Sequence, residues 1–320
     1  MTTPTAGRID THHHILPPRY MKAVGELAVA RTLVSGKAPD WSPAHSLEAM
    51  DRNGIAVAVT SISAPGFACE DPAEVASLCR HCNEYAAEMR GAHPGRFGTF
   101  ASLPLPDIDA SLAEIAFSMD VLQSDGIGLL TNYAGIYLGD PQFEPIFEEL
   151  DRRAAVVYVH PTESPGCALC GLPPATLEFP FDTTRAIANL LFTGTLARFG
   201  KIRYIFSHAG GAVPFLAERL SRLERRPDYA QHVPEGVITL LKRLHFDTAL
   251  SANATAIAGL LRLTGIERIL FGSDFPHAPE DTMAASLRGL ADLDLTAEEL
   301  AKIEGGNAAR LLPHLQPQPA

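Results

Sequence analysis

Short apolar runs, rich in Val, Ile, Leu and Phe, alternate with longer amphipathic stretches along most of this chain. The runs have the length and composition of strands, so the pattern predicts eight of them: Arg8–Thr11, Ile55–Ser61, Phe97–Ala101, Gly126–Leu130, Ala155–Val159, Ile202–Ser207, Leu244–Asp247 and Ile269–Gly272. The stretches between them have helical spacing, most clearly in Pro43–Arg52, Ala73–Gly91, Asp107–Leu122, Asp140–Arg153, Asp182–Phe199 and Pro214–Arg225. Apolar strands separated by helices are typical of a parallel sheet that is buried on both faces.

This alternation predicts an α/β fold, a closed (β/α)8 TIM barrel, with an open doubly wound sheet as the alternative. The chain has neither a glycine-rich dinucleotide motif after the first strand nor a phosphate-binding loop motif, so the open sheet is the weaker prediction. No domain boundary is evident, and residues 1–320 are predicted to form a single domain. Segments Ile15–Trp41 and Pro161–Phe181, after the first and fifth strands, are long enough to be lids over the barrel mouth, whereas Leu311–Ala320 is expected to be a frayed tail.

The composition, with 46% hydrophobic and 20% charged residues, is that of an ordinary globular protein. A formal net charge of −11 is unsuited to binding nucleic acid or an anionic membrane surface. No apolar run approaches the roughly 20 residues of a membrane helix, and the first residues lack the basic and apolar regions of a signal peptide. These features predict a cytoplasmic protein that has no nucleic-acid or membrane partner.

Five cysteines, an odd number, argue against a disulfide framework in a chain of this length. They include two Cys-x-x-Cys pairs: Cys79 with Cys82 in a predicted helix, and Cys167 with Cys170 in a loop rich in glycine and proline. The pairs lie far apart in the sequence, unlike the compact spacing of zinc ribbons. Reduced, packed thiols are therefore the favoured interpretation, with a local Cys167–Cys170 redox link as the alternative.

Three consecutive histidines, His12, His13 and His14, follow the first predicted strand. Because successive strand side chains point to opposite faces, His12 and His14 are expected to share one face while His13 points away. Two imidazoles on one face can reach the same divalent cation, since bonds of about 2.0–2.1 Å require the nitrogen atoms to converge. Taken alone, the triplet is equally well explained as a flexible histidine-rich tract or the remnant of a tag.

Polar side chains also follow three other predicted strands. His160 follows the fifth strand, His208 follows the sixth, and Asp274 follows the eighth. In a barrel these strand ends meet at one mouth. Either histidine alone would be explained as a hydrogen-bonded structural residue, but their coincidence with the triplet predicts a mononuclear metal site. Such a nitrogen- and oxygen-rich set of donors suits Zn²⁺, with Mn²⁺ or Fe²⁺ as alternatives.

The order of these motifs resembles the amidohydrolase superfamily, and within it the branch of aminocarboxymuconate semialdehyde decarboxylase and the hydroxybenzoate decarboxylases. The motifs are His-x-His, a histidine after the fifth strand, His-x-Gly-Gly after the sixth, Gly-Ser-Asp-x-Pro after the eighth, and Gly306-Asn307-Ala308. By this resemblance His208 would act as base or acid, the chain would form a homodimer, and the metal ligands would be His12, His14, His160 and Asp274.

The resemblance also implies the number of metal ions and the reaction. Related dinuclear enzymes carry a carbamylated bridging lysine after the fourth strand, where this chain has Thr131-Asn132-Tyr133. One divalent metal is therefore expected, with Zn²⁺ favoured and Mn²⁺ as the alternative, in a non-oxidative decarboxylase of a small aromatic acid. The metal would act as template and Lewis acid, and Asp274 or His208 would deliver the proton.

The choice of substrate rests on smaller features. The muconate enzyme carries a substrate-binding arginine before its second strand, which residues 34–42 of this chain lack. Pro17-Pro18, Trp41-Ser42 and the segment Glu178–Arg185 resemble the 6-methylsalicylate decarboxylases instead. The predicted substrate is therefore an ortho-hydroxybenzoate such as 6-methylsalicylate. A metal-dependent hydrolase of a lactone or ester, a muconate semialdehyde decarboxylase and a non-catalytic binding barrel are the alternatives.

Two further residues are predicted to bind substrate. Arg219 is placed like an arginine that in the muconate enzyme reaches into the pocket of the neighbouring subunit. A solvated helix face, marked by the Glu218–Arg222 pair, would explain Arg219 as well. His277, three residues after Asp274, would line the pocket or cap the following helix.

Overall fold

The computed structural model describes residues 7–69, 71–165 and 171–315, and at its centre lies a ring of parallel strands. The ring has eight strands, which are β1 Arg8–His14, β2 Ile55–Ser61, β3 Phe97–Ser102, β4 Gly126–Leu130, β5 Val156–His160, β6 Arg203–Phe206, β7 His245–Asp247 and β8 Ile269–Leu270. Each strand pairs in parallel with the next one along the chain. Every predicted strand is present, and β2 and β4 have the predicted bounds. The predicted (β/α)8 barrel is confirmed.

The ring closes at a seam between β8 and β1. The backbone N–H of Thr11 donates to the carbonyl of Phe271 at 2.9 Å, and that of Asp274 donates to the carbonyl of His12 at 2.8 Å. Because these bonds involve residues just after β8, the seam brings the turn that contains Asp274 against the end of β1.

Helices cover the outside of the barrel, as the amphipathic stretches predict. They are α1 Pro18–Val24, α2 Glu26–Thr32, α3 Pro43–Asn53, α4 Pro72–Ala92, α5 Ile108–Ala116, α6 Glu144–Arg152, α7 Glu178–Phe192, α8 Thr195–Arg198, α9 Val213–Ser221, α10 Pro227–Ala230, α11 Val237–Leu241, α12 Ala254–Thr264, α13 Glu280–Ala291, α14 Ala297–Ala301 and α15 Asn307–Leu311. The predicted helix Asp182–Phe199 begins earlier, at Glu178, and breaks into α7 and α8. None of the described helices is both long and apolar enough to span a membrane.

Apolar side chains fill the barrel interior below the mouth. They form one cluster with residues from the last described segment: Ile9, Val57, Val59, Phe100, Val156, Tyr158, Ile205, Leu270, Ala308, Leu311, Leu312 and Leu315. Each leucine buried in this way contributes about 1.5–3 kcal/mol. The expectation of a frayed tail is therefore wrong from Leu311 to Leu315, and residues 316–320 lie outside the described part of the chain.

Both predicted lids pack over the mouth. The first folds into α1 and α2, and the second contains a 3-10 turn at Pro174–Thr176 before α7 begins, with residues 166–170 outside the description. Two side chains from each lid line the same small cavity at the mouth: Thr32 and Leu33 from the first, Ala175 and Phe179 from the second. The lids therefore cover the place where the strand ends converge.

Candidate active site

The end of β1 carries the three histidines, and the register of this strand decides where they point. Pairing with β2 is irregular between Asp10 and His13, a feature that commonly redirects side chains beside active sites. His12 and His14 point together into the mouth. His13 points away, as predicted: its Nδ1 donates to Asp10 Oδ2 at 3.0 Å, and its Nε2 accepts from Ser46 Oγ at 2.9 Å.

Side chains from three strand ends converge at one point in the mouth. His12, His14, His160 and Asp274 are all buried, and their nearest donor atoms lie within 4.8 Å of one another. His12 Nε2 is 3.0 Å from His14 Nε2 and 3.1 Å from Asp274 Oδ1. We call these four residues the metal cluster, because three nitrogens and a carboxylate converging on one point are a typical donor set for a divalent cation.

Hydrogen bonds behind the imidazoles fix which nitrogen faces the centre. In each ring Nδ1 forms a hydrogen bond with an oxygen atom. The partner is Asp247 Oδ2 at 2.8 Å for His12, Ser61 Oγ at 3.0 Å for His14, and the carbonyl oxygen of Pro161 at 2.7 Å for His160. The carboxylate and the carbonyl can only accept, so His12 and His160 carry the proton on Nδ1 and present the Nε2 lone pair to the cluster. The buried nitrogen lone pairs and the Asp274 carboxylate would repel one another unless a positive charge lay between them. The residues present therefore fit a divalent cation.

The electrostatics of the metal cluster also favour positive charge. Burial by itself lowers the pKa of His12, but the carboxylates of Asp247 and Asp274 outweigh it and raise that pKa to about 10, so without a cation Nε2 holds a proton, which a bound cation would displace. Burial lowers the pKa of His14 to about 4 and holds the pKa of His160 well below its ordinary value. His14 and His160 are therefore neutral at pH 7, and neutral imidazole is the form that ligates a metal.

The Gly-Ser-Asp motif after β8 is shaped by its close approach to β1. A Cβ atom on Gly272 would lie 2.8 Å from the Cβ of His12, so no side chain fits there. Ser273 anchors the turn, since its Oγ donates to Asp10 Oδ2 at 2.6 Å. Asp274 then adopts a left-handed backbone conformation with φ of 62°, which few residues other than glycine adopt. This turn points the Asp274 carboxylate toward the three histidines of the metal cluster.

Comparison with known proteins adds a family to this geometry. The sequence model of the family described as amidohydrolase matches residues 9–314, which include the whole metal cluster. The chain belongs to the amidohydrolase family. It is 37% identical to a 6-methylsalicylic acid decarboxylase of Aspergillus aculeatus and 35% identical to one of Penicillium expansum, and each match covers 97% of both chains. It also superposes, with a TM-score of 0.80 and 19% identity over 96% of this chain and 97% of the other, on a dihydroxybenzoic acid decarboxylase from Polaromonas that has bound manganese.

Asp247, the last residue of β7, is a further residue of this site in the amidohydrolase, and it lies outside the sequence motifs that predict the metal site. Its Oδ2 accepts from His12 Nδ1 at 2.8 Å, and its Oδ1 accepts from the backbone N–H of His208 at 2.9 Å. A carboxylate behind a metal-binding histidine fixes the tautomer and the orientation of the ring. The signal was present in the sequence, because Asp247 ends a predicted strand at the same mouth.

His208 lies beside the metal cluster, with its Nε2 3.5 Å from Asp274 Oδ2. Its Nδ1 is buried and meets no hydrogen-bond partner among the described residues. The backbone is left-handed at His208 and Ala209, with φ of 52° and 56°, a costly conformation that concentrates at functional sites. A Cβ atom on Gly211 would lie 1.9 Å from the carbonyl oxygen of Pro180. The His-x-Gly-Gly motif thus holds an imidazole with a free nitrogen next to the metal cluster.

His277 and Arg219, both predicted to bind substrate, lie in very different places. The His277 ring stacks on His14 with centroids 4.7 Å apart, and its Nδ1 is 3.0 Å from Ser63 Oγ. It does not cap the next helix, which begins only at Glu280. Arg219 is exposed on α9 and is absent from the described lining of the cavity at the metal cluster.

The cysteines lie apart from this chemistry. Cys69, Cys79 and Cys82 are free thiols, and burial raises the pKa of Cys82 to about 12. Within the described residues no cysteine belongs to a group that could hold a metal. The Cys79–Cys82 pair is therefore a pair of packed thiols, as predicted, whereas Cys167 and Cys170 lie outside the described part of the chain.

The cavity at the metal cluster, which we call the metal-site cavity, has a volume of only about 20 Å³. This is enough for a water molecule, whereas a cavity of about 150 Å³ accommodates a benzene ring. Thr32, Leu33, Phe179 and Leu250 are among the side chains that line it. An aromatic ring is larger than this cavity, so a ring bound directly at the metal cluster needs more room than these side chains leave.

Proposed function

We propose that this amidohydrolase is a metal-dependent, non-oxidative decarboxylase of a small ortho-hydroxybenzoate such as 6-methylsalicylate. The observation that carries the proposal is the buried metal cluster in a chain whose full-length relatives are decarboxylases. In this reaction the bond between the ring and the carboxyl carbon breaks, CO₂ leaves, and a proton takes its place on the same ring carbon.

We assign the ligand role to His12, His14, His160 and Asp274. A divalent cation held there would orient the carboxylate and the ortho hydroxyl of the substrate and act as a Lewis acid. His208 and Asp274, 3.5 Å apart, are the groups placed to deliver the proton to the ring carbon. His277, whose buried Nε2 has no partner among the described residues, offers a further polar contact for the substrate.

For the metal itself we propose Zn²⁺, with Mn²⁺ as the alternative. Three imidazoles and one carboxylate are a common donor set for zinc, and manganese is supported by the Polaromonas relative. Thr131, at the position where a bridging lysine would lie, instead bonds Asp182, so the residues provide for one ion. Metal analysis of the purified protein, followed by reactivation of chelated enzyme with either ion, decides between the two. Reactivation by Mn²⁺ alone would reject zinc.

We further propose a homodimer that forms through α9. Phe215 on this helix is 89% exposed, and Arg219 lies on the same face one turn further along. A second copy covering Phe215 would carry Arg219 to the partner's mouth, where it binds the substrate carboxylate. We expect Phe215→Ser to yield monomers in sedimentation velocity. Arg219→Ala should raise KM about tenfold, a loss of about 1.4 kcal/mol, while the exposed Arg222→Ala control leaves KM unchanged; equal KM in both variants would contradict the role.

The cellular location and the absence of other macromolecular partners are proposed from composition. A net charge of −11 argues against nucleic-acid and membrane partners, and the three free thiols described are typical of a reducing compartment such as the cytoplasm. Recovery of the native protein in a membrane or extracellular fraction, detected with a specific antibody, would contradict this proposal.

The first experiment follows CO₂ release by metal-loaded enzyme from salicylate, 6-methylsalicylate and 2,6-dihydroxybenzoate, with a ring lactone in parallel. We expect CO₂ from at least one of the acids and loss of that activity after chelation. Turnover of the lactone without CO₂ from any acid would reject the decarboxylase in favour of a hydrolase.

A further inference from the structure

A second cavity, which we call the side cavity, lies at the barrel mouth next to the metal-site cavity. Its volume of about 730 Å³ is within the range of small-molecule binding sites. The ends of β2, β3 and β4 and the loops after them form most of its walls, and its main apolar side chains are Phe67, Val75, Leu103, Leu105, Leu130 and Tyr133. None of the metal cluster, His208 or His277 is in this lining, so the roles proposed above leave the side cavity unassigned.

One short segment after β2 separates the two cavities. Ile62 and Pro65 line the side cavity, whereas Ser63 and Ala64, between them in sequence, line the metal-site cavity. The two cavities are therefore neighbours that share this segment, and a small molecule formed at the metal cluster lies close to the side cavity.

The charges around the side cavity have a single sign. Asp107 and Glu163 are exposed members of its lining, and none of the described lining residues is Lys, Arg or His. A carboxylate placed there would lose hydration without gaining a cation and would be repelled by both acids. A neutral aromatic molecule would instead bury apolar surface, and Ser102, Asn132 and Thr162 offer polar groups for a hydroxyl.

The proposed decarboxylation removes the negative charge of the aromatic molecule, and the side cavity favours a neutral ligand. The substrate is an anion, which suits a cation in the metal cluster. The product is a phenol, and with an ordinary pKa of roughly 10 its hydroxyl is neutral at pH 7. We propose that the side cavity is a binding site for the neutral phenol formed at the metal cluster, an inference that rests on the function proposed above. The side cavity separates product from substrate by charge.

Gly128 in β4 provides a way to fill this site. A Cβ atom added there would meet nothing closer than 3.6 Å, from Phe100, so a longer side chain can extend into the cavity that Gly128 lines. Gly91, exposed in α4, has nothing within 4 Å of an added Cβ and serves as the matched control.

The test is calorimetric titration of metal-loaded enzyme with 3-methylphenol, the phenol that 6-methylsalicylate yields. We expect saturable binding that Gly128→Leu weakens at least tenfold and Gly91→Leu leaves unchanged. Equal affinity in the wild type and in a Gly128→Leu variant with wild-type circular dichroism would overturn the proposal.

A second titration tests the charge selection, with 3-methylbenzoate as a charged competitor of similar shape. In the wild type it should not displace 3-methylphenol, whereas in the double variant Asp107→Asn/Glu163→Gln it should. Displacement from the wild type would overturn the proposal. Release of CO₂ by the same wild-type preparation keeps the two proposals distinct. Active enzyme without phenol binding rejects only the product site, while phenol binding lost in Gly128→Leu without CO₂ from any acid rejects only the decarboxylase.

Discussion

The two halves of the barrel mouth are built from the same kind of strand end but have opposite contents. On the metal side, the ends of β1, β5 and β8 supply imidazoles and a carboxylate, packed around a cavity of only about 20 Å³. On the open side, the ends of β2, β3 and β4 surround about 730 Å³, and Ser102, Gly128 and Leu130 line it. The barrel fold brings all the strand ends to one mouth. Whether a given strand end contributes a metal-binding side chain or leaves an open cavity depends on the residue that stands there.

The two sides also differ in how their acidic residues are held. Asp247 is fully buried and accepts hydrogen bonds from His12 and from the backbone of His208. Asp107 is exposed, and its side chain accepts one bond from the backbone of Ala110 at the start of α5. Substitutions on the metal side should therefore change metal binding and kcat, whereas those on the open side should leave both unchanged.

The largest effect is expected from the metal cluster itself. His12→Ala or His14→Ala removes one of the proposed ligands, so the protein should lose its metal and about a thousandfold or more of kcat/KM, as expected when a Lewis acid worth several kcal/mol is lost. Metal content by mass spectrometry and the rate of CO₂ release check this prediction. Ser102→Ala on the open side is the control and should retain both. Stoichiometric metal in both histidine variants would refute our assignment of the ligands.

A smaller effect is expected from Asp247. Asp247→Asn leaves an oxygen for the His208 backbone but removes the charge behind His12, so metal affinity should fall by about 10–100-fold. Titration with a metal buffer measures the dissociation constant directly. An unchanged dissociation constant for the metal would contradict the role of Asp247 in orienting His12.

His13 separates stability from metal binding. Its ring is fully buried and forms hydrogen bonds with Asp10 and Ser46. His13→Ala leaves the side chains of these two residues without that partner, so it should lower the free energy of unfolding by about 1–3 kcal/mol. Metal content should stay at the wild-type level, because the ring points away from the metal cluster. Urea unfolding and metal analysis of the same sample test both halves, and a stable variant without metal would contradict the geometry.

The smallest effect is expected from Asp107→Asn. Asparagine caps a helix as well as aspartate, so the free energy of unfolding should change by no more than about 0.5 kcal/mol, as for ordinary surface substitutions. Metal content and kcat should not change. A large loss of metal content or of kcat would contradict the prediction that the open side of the mouth is not required for metal binding or turnover.

The parts of this molecule that follow from local pattern could be predicted from the sequence. Strands β2 and β4 have their predicted bounds because both are short apolar runs with a turn signal at each end. The stacking of His277 on His14 could not be foreseen, because it depends on a tertiary contact that periodicity does not report. The side cavity could not be foreseen either, since it needs a missing side chain at Gly128 and the spacing of three separate loops.

The seam between β8 and β1 has a consequence for the order in which the molecule is made. Thr11 and Phe271, which bond across it, are 260 positions apart in the sequence. His12 and His14 are therefore synthesised early, while Asp274 leaves the ribosome only after all eight strands have been made. A nascent chain cannot assemble its complete donor set, so metal uptake follows barrel closure. Once bound, the ion fastens the first strand to the last, because binding free energy that requires the folded site adds to its stability.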